Sequence, residues 1–233
     1  SQNNISLNSI NGNNGSGIAL WNNSDGNLLE DNDLSSNQLG ISLWEGCDRN
    51  LILRNNASAN AFSGIQIYKS MENTIAENTA ASNNYSGIAS VSSMKSRIMD
   101  NNLSQNRYGI NLAGSSDEEV TGNLALSNLM QGIKVTDSVN MSLKENQLHK
   151  NQYALLITDS QSIEAYSNNA SLNDLGMAFQ HCRRCTVKEN TISKNSNGLV
   201  LAGSSQCILS FNRILNNRLE GLALGSSHDN LIQ

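Results

Sequence analysis

The stretch Asn190-Thr191-Ile192-Ser193-Lys194-Asn195-Ser196-Asn197-Gly198-Leu199-Val200-Leu201 is one copy of a unit that fills the chain. Its landmark, Gly followed by an aliphatic residue, stands at Gly17, Gly40, Gly64, Gly87, Gly109, Gly132, Gly176, Gly198 and Gly221, with Ala154-Leu155 completing the series. Successive sites are 22, 23 or 24 residues apart. Self-similarity at a fixed period in this range is the mark of a solenoid and takes precedence over local propensity. Apolar residues recur one and three places after each Gly, as in Ile18/Leu20, Ile110/Leu112 and Leu199/Leu201. That period of two gives a short strand with one face buried. A second apolar site follows about eleven places on (Leu29, Ile52, Ile75, Ile98) and a third about sixteen (Leu34, Ala57, Ala80, Leu103). Each repeat therefore offers three short strands, and no stretch has the continuous pattern a helix needs.

Two columns of Asn separate the strands. One runs Asn8, Asn32, Asn55, Asn78 through Asn212 and the other Asn13, Asn37, Asn60, Asn83 through Asn217. Asn tolerates positive φ, bonds its neighbouring backbone and can form amide ladders between stacked chains, so it suits a corner. A third column of small residues, Ser24, Cys47, Ser70, Ser93 through Cys182, Ser204 and Ser227, precedes the second strand. Three strands and three corners per turn describe an all-β parallel β-helix of about ten coils, one domain over residues 1–233.

The Gly-Ile-x-Leu, Asn-x-x-x-x-Asn and corner-Ser ladders resemble the right-handed parallel β-helix repeat family, including NosD-like proteins and the carbohydrate-binding and sugar-hydrolase (CASH) domains. The resemblance covers essentially the whole chain and rests on architectural residues, so it specifies fold more sharply than activity. It implies an extracytoplasmic protein, secreted, periplasmic or at the cell surface, concerned with polysaccharide. No copper ligand of the NosD-like proteins can be matched here, so a metal-maturation accessory role is carried only as an alternative.

Composition bounds the partners. A net charge of −5 argues against a nucleic-acid surface, and no apolar run is long enough to insert in a membrane. The chain starts within one coil and stops within another, which reads as a piece of a longer protein.

Two places carry candidate chemistry. Four residues after Gly, on the outward face, the first three coils carry Trp21, Trp44 and Tyr68. With coils stacked ~4.8 Å apart these rings form a stripe that can bind the apolar faces of sugars, or can stack on itself or on another part of the protein. Further along the same face the outward residues Leu156, Ala178, Val200, Ala202 and Ala223 suit packing against a neighbouring protein domain. Beside the corner Ser, successive coils present Asp137, Asp159 and His181, with Thr136 and Thr158 adjacent. Carboxylates one coil apart could hold a cation such as calcium or share proton-transfer work in a lyase, hydrolase or epimerase, and equally could be a solvated turn. The expectation is a non-catalytic module that binds polysaccharide or serves as a scaffold, with the enzyme as the alternative. His181, Cys182, Cys185 and Cys207 give a weak metal signal, because Cys182 is expected to point away from the others and Arg183 and Arg184 would repel a cation. A Cys185–Cys207 disulfide or free thiols are the other readings.

Overall fold

The computed structural model describes residues 2–233, and these form the expected solenoid with no helix among them. Ten parallel strands, from Ser16–Trp21 to Leu222–Gly225, make the first sheet. Their register aligns Ile18, Ile41, Ile65, Ile88, Ile110 and Ile133 in one ladder. Eleven strands, from Asn4–Ser6 to Leu231–Ile232, make the second. Each inward aliphatic is covered by its own coil and by the coils on either side, so Ile41 through Leu199 along this ladder and Leu29 through Val187 in the second sheet are fully buried. Full burial of one such side chain is worth roughly 1.5–3 kcal/mol.

The third strand departs from the expectation. It is a three-residue strand only from Leu124–Leu126 to Arg213–Leu215; before that, each coil has a single bridge, such as Asp33 to Asn56 and Thr79 to Asn102. Side chains explain this in the early coils. Asn11 Oδ1 accepts from the Ser35 amide at 2.9 Å, and Ser58 Oγ accepts from the Ala81 amide at 3.2 Å. Those amides are thereby diverted from the ladder.

The Asn columns lie at the corners and are buried from Asn32 to Asn190 in one and from Asn37 to Asn195 in the other. Asn101 is typical: its Oδ1 accepts from the Asn78 amide and Nδ2, while its own Nδ2 donates to Ile75 O, Met99 O and Asn123 Oδ1, all within 3.0 Å. The side chain thus satisfies corner groups of its own coil and of two neighbours. A further, shorter ladder, not read from the sequence, links Asn3, Asn27, Asn50 and Asn73. In later coils the same column holds Ser96, Glu118, Met141, Ile163, Cys185 and Cys207. Glu118 is consequently inside the solenoid, its Oε1 accepting from Ser90 Oγ at 2.5 Å and its Oε2 buried without a partner.

Candidate functional site

The first strand ends at a corner that sets where both candidate groups stand. Five residues after each Gly the chain turns through the left-handed region: φ is 49° at Asn22, 54° at Glu45, 49° at Asp137, 50° at Asp159 and 52° at His181. Such a conformation costs least for Gly, Asn and Asp. The preceding position, on the outward face, holds Trp21, Trp44 and Tyr68 in register. The aromatic stripe and the acidic row are therefore two segments of one seam along the solenoid. Coils 1 to 3 carry the first, and coils 6 to 8 the second. Between them stand only Val91-Ser92 and Ala113-Gly114.

In the aromatic segment Trp44 and Tyr68 are 4.8 Å apart between ring centroids and tilted by 51°, and Lys69 Nζ lies 5.0 Å from the Tyr68 centroid. Trp21 is 64% exposed and Trp44 38%. A depression of about 370 Å³ opens at the two indoles, with Asn22 and Glu45 as its polar lining. Trp21 and Trp44 thus leave indole surface exposed beside an amide and a carboxylate.

In the acidic segment Asp137, Asp159 and His181 line one depression of about 470 Å³ with Gln161 and Arg183. His181 Nδ1 is 3.4 Å from Asp159 Oδ1, and Thr158 Oγ1 donates to Thr136 Oγ1 at 3.2 Å beneath the row. Gly203, at φ +60°, continues the column one coil on; a Cβ there would come within 2.7 Å of His181 Cδ2, so its absence leaves room for the ring. The row lies open: the His181 side chain is 72% exposed and that of Asp159 55%. Water screens charges so exposed. The outward Leu156, Ala178, Val200 and Ala223 are cross-strand neighbours in coils 7 to 10, half-buried or buried among their own ladder.

Sequence reading missed a second aromatic group. Phe62, Tyr85 and Tyr108 step up the corner before the first strand at centroid separations of 5.5 and 5.2 Å, with Arg107 and Lys134 over the tyrosine rings. Its signal was the position one or two residues before Gly64, Gly87 and Gly109. The Cys expectation needs correction at one residue: Cys182 does not point away but lies against Cys185, because the corner turns its side chain inward.

A family model described as the right handed beta helix region matches residues 1–96 and 43–170. The chain belongs to the right-handed β-helix family. A second model, described as periplasmic copper-binding protein (NosD), matches residues 123–233 of this β-helix. Among solved structures the β-helix is similar to the A-module of the Azotobacter vinelandii mannuronan C-5 epimerase AlgE6, at 14% identity and a TM-score of 0.65, over 91% of this chain and 76% of that one. It is also similar to the periplasmic alginate epimerase AlgG, at 18% identity and a TM-score of 0.61, over 90% of this chain and 47% of that one. The Dettilon tailspike protein gives 14% identity and a TM-score of 0.69, over 90% and 54%. At these identities the likeness is one of fold, and the chain spans about half of AlgG and of the tailspike. A sequence search of the curated proteins found no match. No helix among the described residues is long and apolar enough to cross a membrane.

Proposed function

We propose that this chain is an extracytoplasmic β-helix module that binds polysaccharide along its seam, with Trp21, Trp44 and Tyr68 as the platform. The observation that carries this reading is the opening at the two exposed indoles. Sugar rings stack on aromatic faces through their C–H faces, and Asn22 and Glu45 stand where hydroxyls would project. The coil repeat of ~4.8 Å resembles the length of one pyranose unit, so a linear chain lying along the axis meets an equivalent place at every coil. The epimerases of like fold bear names that refer to mannuronan and alginate, and two matches are described as periplasmic, which supports both the ligand class and the location. Titration calorimetry against alginate, pectate and neutral glycans tests it. Affinity should fall at least about tenfold in Trp44→Ala and in Trp21→Ala, equivalent to about 1.4 kcal/mol. Unaltered affinity in both variants, or no glycan bound at all, would sink the reading.

A second reading, a polysaccharide-active enzyme, is favoured by one contact: the His181 imidazole beside the Asp159 carboxylate in a shared depression. Such a pair can relay a proton at a sugar carbon or leaving oxygen. Its test is turnover of alginate, pectate and neutral glycans with and without calcium, compared with Asp159→Asn; activity untouched by that substitution removes the row from the chemistry.

A further inference from the structure

All four Cys are free thiols, and three of them, Cys182, Cys185 and Cys207, form a buried cluster inside coils 8 and 9. Cys185 Sγ donates to Arg183 O at 3.6 Å and lies against the thiols of both Cys182 and Cys207. Cys185 and Cys207 occupy the same place in successive coils. Arg183 bridges to Ser205 and Thr186 pairs with Ile208 on either side of them, and the Ile208 amide donates to Cys185 O at 2.8 Å. In-register places are ~4.8 Å apart, inside the roughly 4.4–6.8 Å between Cα atoms that a disulfide spans. In the first coils this column is closed by the bonded amides of Asn27, Asn50 and Asn73. Between coils 8 and 9 a pair of sulfurs stands there instead.

Cys182 has a different job. It replaces the corner Ser, and its thiol donates to Gln180 O at 3.2 Å and Ile157 O at 3.5 Å. The hydroxyl of Ser204 bonds the equivalent carbonyls, Ala202 O and Phe179 O, one coil later. Bridging Cys182 to Cys185 would break both of these contacts, leaving Gln180 O with the Asp159 amide as its partner. A Cys185–Cys207 bridge breaks only the weak Cys185 contact to Arg183 O and the Cys207 contact to Ser205 O at 3.4 Å.

We propose that Cys185 and Cys207 are a disulfide-forming pair that staples coil 8 to coil 9. Burial excludes reagents from the finished solenoid, so the bond forms as the chain coils. With oxidised glutathione as the oxidant, the Cys207 thiolate attacks one glutathione sulfur and expels the other as a thiolate. The Cys185 thiolate then attacks the Cys207 sulfur of the mixed disulfide and expels the second glutathione. Two cysteine thiols are oxidised, one glutathione disulfide is reduced to two thiols, and the two cysteine protons end on them.

The protein is unfolded, reduced, and refolded in a glutathione redox buffer or in reductant alone. It is then denatured in acid, alkylated and mapped by peptide mass. The expected result in the oxidised sample is alkylation at Cys47 and Cys182 only, with a peptide pair joining Cys185 to Cys207. Cys182→Ser should keep the bridge and Cys207→Ser abolish it. The oxidised wild type should melt roughly 5–10 °C above the reduced one, a shift absent from Cys185→Ala/Cys207→Ala. Four alkylated cysteines after oxidative refolding, or a Cys182–Cys185 bridge, would overturn the proposal. Because mapping is done on denatured chains, a poorly folding variant still gives a result, and the wild type alone decides between these outcomes.

Discussion

Replacing Glu118 by Gln should abolish most of a specific pH dependence of stability. The carboxyl sits in the solenoid interior, held by one hydrogen bond from Ser90 Oγ and with Oε2 unpartnered. Burial pushes it from 4.5 up to about 7, against the Ser90 hydrogen bond, which acts to lower it. Since the folded value lies above the unfolded one, the folded chain holds this proton where the unfolded chain has released it. Stability is therefore complete below pH 4.5, falls between 4.5 and 7, and is lower by a constant amount above. A displacement from 4.5 to about 7 corresponds to about 3 kcal/mol.

The assay is urea unfolding of wild type and Glu118→Gln across acid to mildly alkaline pH, read as the difference between the two so that exposed carboxylates cancel. An array of coils need not unfold in one step, so amide exchange in coils 4 and 5 is followed as well. Gln keeps the shape and the Ser90 contact without a titrating proton. The difference should turn in favour of Gln as pH rises through the window, by about 3 kcal/mol in all. A difference that stays constant across that range would refute the buried placement of this carboxyl. Ser90→Ala/Glu118→Met, which removes both polar partners and continues the column into Met141, should be the more stable protein above pH 7, since removing both members of a buried pair leaves neither orphaned.

Ile110→Asp puts an unpaired carboxylate in a fully buried ladder, and its thermal melt by circular dichroism should lose the cooperative transition. Asn101→Ala removes the acceptor for the Asn78 amide and the donor for Ile75 O and Met99 O; a loss of roughly 2–4 kcal/mol in urea unfolding is expected. Gly87→Ala brings a Cβ within 2.8 Å of Ala80 O and Gly109 O, both backbone, and should cost roughly 1–3 kcal/mol in the same measurement.

The ladders were legible because each coil repeats the same physical demand. An inward place needs an aliphatic, a corner amide needs an acceptor from the next coil, and the close approach at Gly87 excludes a side chain, so the residue type recurs wherever the geometry does. The column of Asn27, Asn50 and Asn73 escaped reading because its residue type changes at Ser96 and again at Glu118. A carboxyl at Glu118 reads as solvent-facing until the column is known to point inward. The inward Ser90, in the place of Ile67 and Leu112, carried half of that signal alone.

The seam was legible in its parts and not as a whole. Trp21, Trp44 and Tyr68 drew notice by chemistry, and Asp137, Asp159 and His181 by alignment, yet their columns differ by one place in the repeat. Only the corner geometry shows that a side chain leaving at the end of the strand and one leaving at the left-handed residue after it stand at the same corner of the coil. That adjacency gives the mutants a joint reading. If a glycan lies along the axis from coil 1 to coil 8, Trp44→Ala weakens long and short oligosaccharides alike. Asp159→Asn then alters affinity only for chains long enough to cross the small residues of coils 4 and 5. A length-independent effect of Asp159→Asn would instead separate the two segments into unrelated surfaces.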